Sequence, residues 1–407
     1  MFLLFDLLYA LASPILLLHA IRSRSRGHPP RRGLRERLGA GNTLKDHSSR
    51  ILLHAVSVGE VNAIRDLVKS LSADGYQLVI SVTTDTGIKR ADELFGDLHT
   101  VVRYPLDFSW SVNNFLRRIN PRLIVLVELE VWPNMLRLAD RKNIPVVVVN
   151  GRLSDRSYQR YKQVAFLLRT TFGRLSIVGM QNDMYANKVR SLGATNVQVL
   201  GTMKWDNALI QDSIDGADEL AVSLGIDRNK PLIVAGSTTP EEHVLLRESL
   251  PDGVQLLIAP RRPEWFDEAA KTLSPCNRRT ESNRITTDFF VLDTIGELDA
   301  AYSLATLVVI GRSFAPLHGS DPSIAIGFGK PTIIGPNMSD FEDMTNALIE
   351  NKAVIQCTAT SLKREIMRLL ADDQLCKELS ANGRSTIEKN QGATAKYVKL
   401  IEEAFTS

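Results

Sequence analysis

The sequence predicts an α/β protein of two consecutive, doubly wound parallel sheets, preceded by an apolar N-terminal helix. Three observations predict it. The chain has 407 residues, too many for one ordinary core and suited to two domains of roughly 150–200 residues each. From residue 50 onward, short β-rich runs alternate with amphipathic helical stretches, the pattern of strand–helix–strand units. The runs Ile-Val-Leu-Val at 124–127 and Val-Val-Val-Val at 146–149 lack polar alternation, as parallel strands covered on both faces require.

The elements follow in order. Residues 2–21 are almost wholly apolar, about the length that crosses a hydrocarbon core, so 1–21 is expected to be a membrane anchor. Asp6 and Pro14 interrupt the stretch, and a helix lying in the interface is the competing reading. Segment 22–49 is a basic juxtamembrane stretch: Arg22, Arg24, Arg26, Arg31, Arg32, Arg35 and Arg37 are opposed by Glu36. Cations that follow an apolar run favour retention on the cytoplasmic side and contact with anionic headgroups.

Residues 50–206 form the first α/β domain. Its candidate strands are 51–55, 77–82, 123–127, 145–149 and 197–200, with a helix over Val61, Ile64, Leu67, Val68 and Leu71 after the first. A polar stretch, 207–230, reads as a linker. The alternation restarts over 231–407, with strands at 232–235, 255–258, 289–292, 307–310 and 331–334, and helices at the C-terminus. The hydrophobic share of 44% and charged share of 23% are those of a globular chain. A net charge of +3 carries no nucleic-acid signature. Three cysteines without C-x-x-C spacing and seven histidines without paired-ligand spacing indicate neither a disulfide framework nor a metal site.

In doubly wound sheets ligands bind beyond the carboxyl ends of strands, and four such ends carry chemistry-bearing residues. After the first strand comes His54-Ala-Val-Ser57-Val-Gly59-Glu60. A glutamate opening a helix complements the dipole, but one at a strand end is also placed to take a proton from a hydroxyl. Next, Glu128-Leu-Glu130-Val-Trp132-Pro133-Asn134 sets two carboxylates beyond an apolar strand, where burial is costly without a partner. Arg152 and Arg156 could pair with these acids or hold an anionic ligand. In the second half, Gly236-Ser237-Thr238-Thr239-Pro240-Glu241-Glu242 opens a helix and offers backbone N–H groups to a phosphate. Pro260-Arg261-Arg262 follows the next strand and brings two permanent cations.

Two such domains facing a central cleft describe the GT-B architecture, and the motifs resemble the 3-deoxy-D-manno-octulosonic acid (Kdo) transferases. The resemblance rests on H-A-V-S-V-G-E at 54–60, V-E-L-E-V-W-P-N at 127–134, N-G-R-L-S-D-R-S at 150–157, Q-N at 181–182, G-T-M-K-W-D at 201–206 and A-P-R-R-P-E at 259–264. It implies a metal-independent, inverting transfer of Kdo from CMP-Kdo to a lipid A precursor on the cytoplasmic side of the inner membrane. No cofactor beyond that donor and no nucleic acid is implied. Glu60 falls at the family's general-base position, and Glu128 and Lys204 fall where it stabilises the transition state. Ser237, Pro260, Arg261, Ile295, Gly296, Glu297 and the loop Asp321-Pro322-Ser323-Ile324 are expected to hold the nucleotide. That loop departs from the family's G-G-H-N-P-L-E, reading His318-Gly319-Ser320-Asp321-Pro322-Ser323-Ile324. Ile324 replaces a ribose-gripping glutamate and cannot accept a hydrogen bond. A GT-B transferase with another donor, or a paralogue without catalysis, are the competing readings.

Overall fold

The computed structural model describes residues 5–11, 33–45 and 49–406. It contains two compact units, one of residues 1–206 and 392–407 and one of 207–391.

The first unit is built on β1 Arg50–Ala55, β2 Gln77–Val82, β3 Thr100–Arg103, β4 Leu123–Val127, β5 Val146–Gly151, β6 Ile177–Met180 and β7 Val197–Val199. All pair in parallel, in the order β3-β2-β1-β4-β5-β6-β7. The order reverses between β1 and β4, so loops leave these two strands in opposite directions and open a crevice above their carboxyl ends. β1, β4 and β5 are buried along their whole length, as their unbroken apolar runs require.

The second unit carries β8 Leu232–Thr238, β9 Gln255–Pro260, β10 Asn277–Arg278, β11 Phe289–Val291, β12 Leu307–Ile310, β13 Thr332–Ile334 and β14 Ile355–Gln356. Their order is β10-β11-β9-β8-β12-β13-β14, again parallel, and it reverses between β8 and β12.

Three expectations need correction. The stretch 207–230 is more than a linker: Ala217–Leu224 is a helix with Leu220 and Leu224 buried in the second unit. The C-terminal helix Ala393–Thr406 belongs to the first unit, although the sequence assigns it to the second. Tyr397, Leu400, Ile401 and Ala404 supply one apolar stripe to the core around β1 and β4, and the Tyr397 hydroxyl donates to the Gly201 carbonyl at 2.8 Å. Gly179 in β6 makes room for it, since a Cβ there would lie 2.6 Å from the Tyr397 ring. Finally, Arg37 does not face lipid. It is 6% exposed, donates to the Thr83 carbonyl at 2.7 Å and lies 3.8 Å from Asp85.

The anchor lies mostly outside the described residues, but 5–11 is helical. Its polar residues face the first unit: Asp6 accepts from the Ser109 amide at 2.9 Å, and the Tyr9 hydroxyl donates to Asp107 at 2.9 Å. Leu7, Leu8 and Leu11 are exposed. No helix among the described residues is long and apolar enough to cross a membrane.

Candidate active site

Glu60 sits at the reversal point of the first sheet. Ser57 is the N-cap of helix Val58–Ala63, and the Glu60 carboxylate folds back over that cap. Oε2 accepts the Val56 amide at 2.8 Å and Oε1 accepts the Ser57 hydroxyl at 3.0 Å. Ser57-x-x-Glu60 is thus a variant of the capping box, and the dipole reading of the sequence holds structurally. It does not exhaust the residue. Glu60 is 8% exposed, and burial is the first cause lifting its pKa to about 7, with Glu128 and Glu130 adding repulsion and the two hydrogen bonds opposing. A carboxyl poised near neutrality at a strand end suits proton abstraction.

The two other acids are presented by a strained turn. Glu128 and Leu129 follow β4 with φ of 55° and 78°, left-handed conformations that cost non-glycine residues of order 1–3 kcal/mol each. The turn buries Leu129 in the core and leaves Glu128 and Glu130 half-buried on either side. Burial raises the Glu130 pKa, against a hydrogen bond from the Trp132 side chain. His54 lies beneath the site. Its Nδ1 is 3.0 Å from both the Ser81 carbonyl and hydroxyl, its ring stacks on Tyr104 at 3.6 Å, and burial pushes its pKa down to about 3. It is a neutral core residue.

Lys204 lies in the turn Met203–Asn207, which Asn150 holds. Asn150, at the end of β5 with φ 53°, accepts the Met203 amide at 3.1 Å and receives the Gln181 side chain at its carbonyl at 2.9 Å. The N-G-R and Q-N motifs therefore act on the lysine's turn.

In the second unit the loops after β8 and β12 meet at Gly311, where a Cβ would lie 2.5 Å from the Ser237 carbonyl oxygen. Ser237 itself has φ 58°. Pro260 ends β9, and the Arg261 amide donates to the Thr238 carbonyl at 3.0 Å, tying these two tracts together. Ile295 is 80% exposed and Gly296 has open space around it. Glu297 is engaged: Arg279 grips it with two donors, at 3.0 and 2.9 Å. Burial works to raise its pKa, but the bonds from Arg279 and Thr294 hold it below the usual carboxylate range. Asp321 accepts the Ser323 amide at 2.9 Å and hydroxyl at 2.6 Å, starting the short helix Ser323–Gly327. Pro322 and Ser323 are buried and Ile324 is half-buried.

Two participants escaped the sequence reading. Glu242 accepts the amides of Thr239, Arg312 and Phe314 at 3.0, 2.8 and 3.0 Å, bracing the β12 loop. Its signal was legible as Thr239-x-x-Glu242, a capping box. Asp107 accepts the Asn134 and Met135 amides at 2.9 and 2.8 Å and so caps the helix Pro133–Arg141 that follows the Glu128–Glu130 turn. No short-range pattern marks it.

Residues 32–207 match the family model described as 3-deoxy-D-manno-octulosonic-acid transferase. The 3-deoxy-D-manno-octulosonic acid transferase of Haemophilus influenzae is 29% identical over 391 residues, covering 91% of each chain. That of Bordetella pertussis is 29% identical over 378 residues, covering 87% of each. The chain is thus similar to the Kdo transferases over most of its length. Solved glycosyltransferases share its fold. A glycosyltransferase from Rickettsia africae superposes with a TM-score of 0.59 at 12% identity, over 87% of this chain and 98% of its own. The chain has a GT-B-like α/β fold with two parallel sheets.

Proposed function

We propose that the chain transfers Kdo from CMP-Kdo to a hydroxyl of a lipid A precursor in lipopolysaccharide synthesis, with inversion and without a metal. Glu60 takes the proton of the acceptor hydroxyl as that oxygen attacks the sugar's anomeric carbon. The bond from that carbon to the phosphate oxygen breaks, and CMP leaves. Glu128 and Lys204 stabilise the transition state, and backbone amides after Ser237 with Arg261 receive the phosphate charge. The observation that carries this reading is the Glu60 carboxyl, held near pKa 7 at the end of β1 beside Glu128 and Glu130. Membranes containing the protein, given CMP-Kdo and a tetraacyl lipid A precursor, should yield lipid heavier by Kdo in mass spectrometry. Turnover should persist in excess EDTA, and its loss there would overturn the metal-independent reading.

The donor loop favours a second reading, a different nucleotide sugar, because Ile324 offers the ribose no acceptor. If CMP-Kdo is the donor, the parent should bind CMP weakly. Adding a charged acceptor by Ile324→Glu should tighten CMP about tenfold or more, since hydrogen bonds to charged groups are worth roughly 1.5–3 kcal/mol. Asp321→Ala should weaken it by loosening the start of the helix at Ser323. Calorimetric titration of CMP into all three proteins decides, and unchanged affinity in both variants would remove this loop from the donor site.

Residues 1–21 are proposed to seat the protein on the cytoplasmic face of the inner membrane. Asp6 and Tyr9 are engaged with the first unit. An interfacial seat, with Leu7, Leu8 and Leu11 toward lipid, fits these contacts.

A further inference from the structure

We infer that the helix at residues 5–11 is a positioning element for the Glu128–Glu130 turn, acting through Asp6, Tyr9, Asp107 and Asn134. The inference rests on the proposed role of that turn in Kdo transfer.

The geometry is a closed polar knot. Asp107 is buried, and its carboxylate takes the amides of Asn134 and Met135, which open the helix Pro133–Arg141. The Asn134 side chain, fully buried, donates back to the Asp107 carbonyl at 2.5 Å. The remaining contacts come from the N-terminal helix. Tyr9 donates to Asp107 Oδ2 at 2.9 Å, and Asp6 Oδ1 receives the Asn134 side chain at 3.0 Å and the Ser109 amide at 2.9 Å. Tyr9 also meets Phe108 edge-to-face, with ring centroids 5.9 Å apart.

This knot fixes the start of the helix that follows the Glu128–Glu130 turn. Asn134 lies four positions after Glu130, and the turn holds two left-handed, non-glycine residues that persist only where the surroundings over-determine them. β4 determines one end. The knot determines the other, and two of its contacts to Asp107 and Asn134 come from a helix whose outer face is apolar. A pure tether has no need of a tyrosine hydroxyl bonded to a buried aspartate. It would also have no need of an aspartate where the helix meets Ser109 and Asn134.

The test uses the full chain. Tyr9→Phe deletes one hydroxyl and keeps the ring, Asp6→Ala deletes an acceptor, and Asp6→Asn keeps a carbonyl oxygen. The Asp6→Ala/Tyr9→Phe double variant should lose roughly tenfold or more in kcat, the scale expected for displaced catalytic groups. KM for the donor and binding to vesicles should stay at parent values, and Asp6→Asn should restore most of the loss relative to Asp6→Ala. Independently of activity, amide exchange in peptides spanning 128–136 should accelerate about tenfold while exchange elsewhere is unchanged. Parent-like kcat and parent-like exchange at 128–136 would overturn the inference. So would accelerated exchange throughout the first unit, the mark of a merely stabilising helix. If the parent itself transferred no Kdo, the functional reading would fail while the exchange result still decided the positioning role.

Discussion

Glu60→Gln is expected to leave a folded protein with turnover reduced about 10²–10⁴-fold, the usual cost of removing a general base. The amide keeps the volume and one acceptor oxygen for the Val56 amide or the Ser57 hydroxyl, but it cannot take a proton. In the parent, kcat/KM should climb as pH rises through about 7, where the Glu60 carboxyl ionises. Stability should move the other way. Because the folded pKa lies above the ordinary glutamate value of 4.5, the folded chain holds this proton more tightly than the unfolded one. That contribution is present in full below about 4.5 and lost as pH rises through 7. Glutamine carries no such loss, so the variant should melt higher than the parent at pH 8, by at most about 3 kcal/mol, and level with it near pH 4. Thermal melts at both pH values and turnover at pH 8 test the two halves together. Near-parent turnover in the folded variant would return Glu60 to its capping role alone.

Much of this was legible in the sequence because the signals were physical ones. Both sheets showed through β1, β4, β5, β8 and β12, whose unbroken apolar runs reflect burial on both faces. The strands that went unread lacked that signal. β3 is only partly buried, β10 and β14 are two residues long, and Gly179 interrupts the apolar run of β6. The C-terminal helix was misassigned because an amphipathic pattern states that a face is buried and not against which sheet. Among site residues, strand-end position singled out Glu60, Glu128 and the Ser237 tract, and the structure sets each at or next to a reversal of strand order. Lys204 had no signal of its own, since only the fold brings Asn150 to its turn. Asp6 interrupts the apolar stretch in the sequence, and only the fold sets it against residues more than one hundred positions away. Asp107 shares that invisibility.

The two capping boxes make the sharpest contrast, because the same pattern follows the first strand of each sheet. In the first unit the Glu60 carboxylate receives one amide and one hydroxyl and faces two other glutamates. In the second, Glu242 receives three amides from two loops, and burial, the largest influence on its pKa, is opposed by those bonds. Glu242→Ala should therefore cost stability where Glu60→Gln costs turnover. It strands three amides, each worth about 1–3 kcal/mol when buried and unpaired. It also releases the β12 loop, where Arg312 and His318 hold left-handed conformations with φ of 60° and 70°. A loss of about 3 kcal/mol or more from the second unit is expected in urea unfolding, since the orphaned amides find water only partly. Glu242→Gln should lose less, because its single oxygen can accept from some of the three donors while its NH2 group repels the rest. CMP affinity should fall in both, in the order of the stability loss, as the loop that carries Ser320 to Ile324 loosens. A Glu242→Ala protein of parent stability would mean that those amides are satisfied otherwise. The second glutamate would then be free for chemistry, and the division of labour between the two boxes would be reversed.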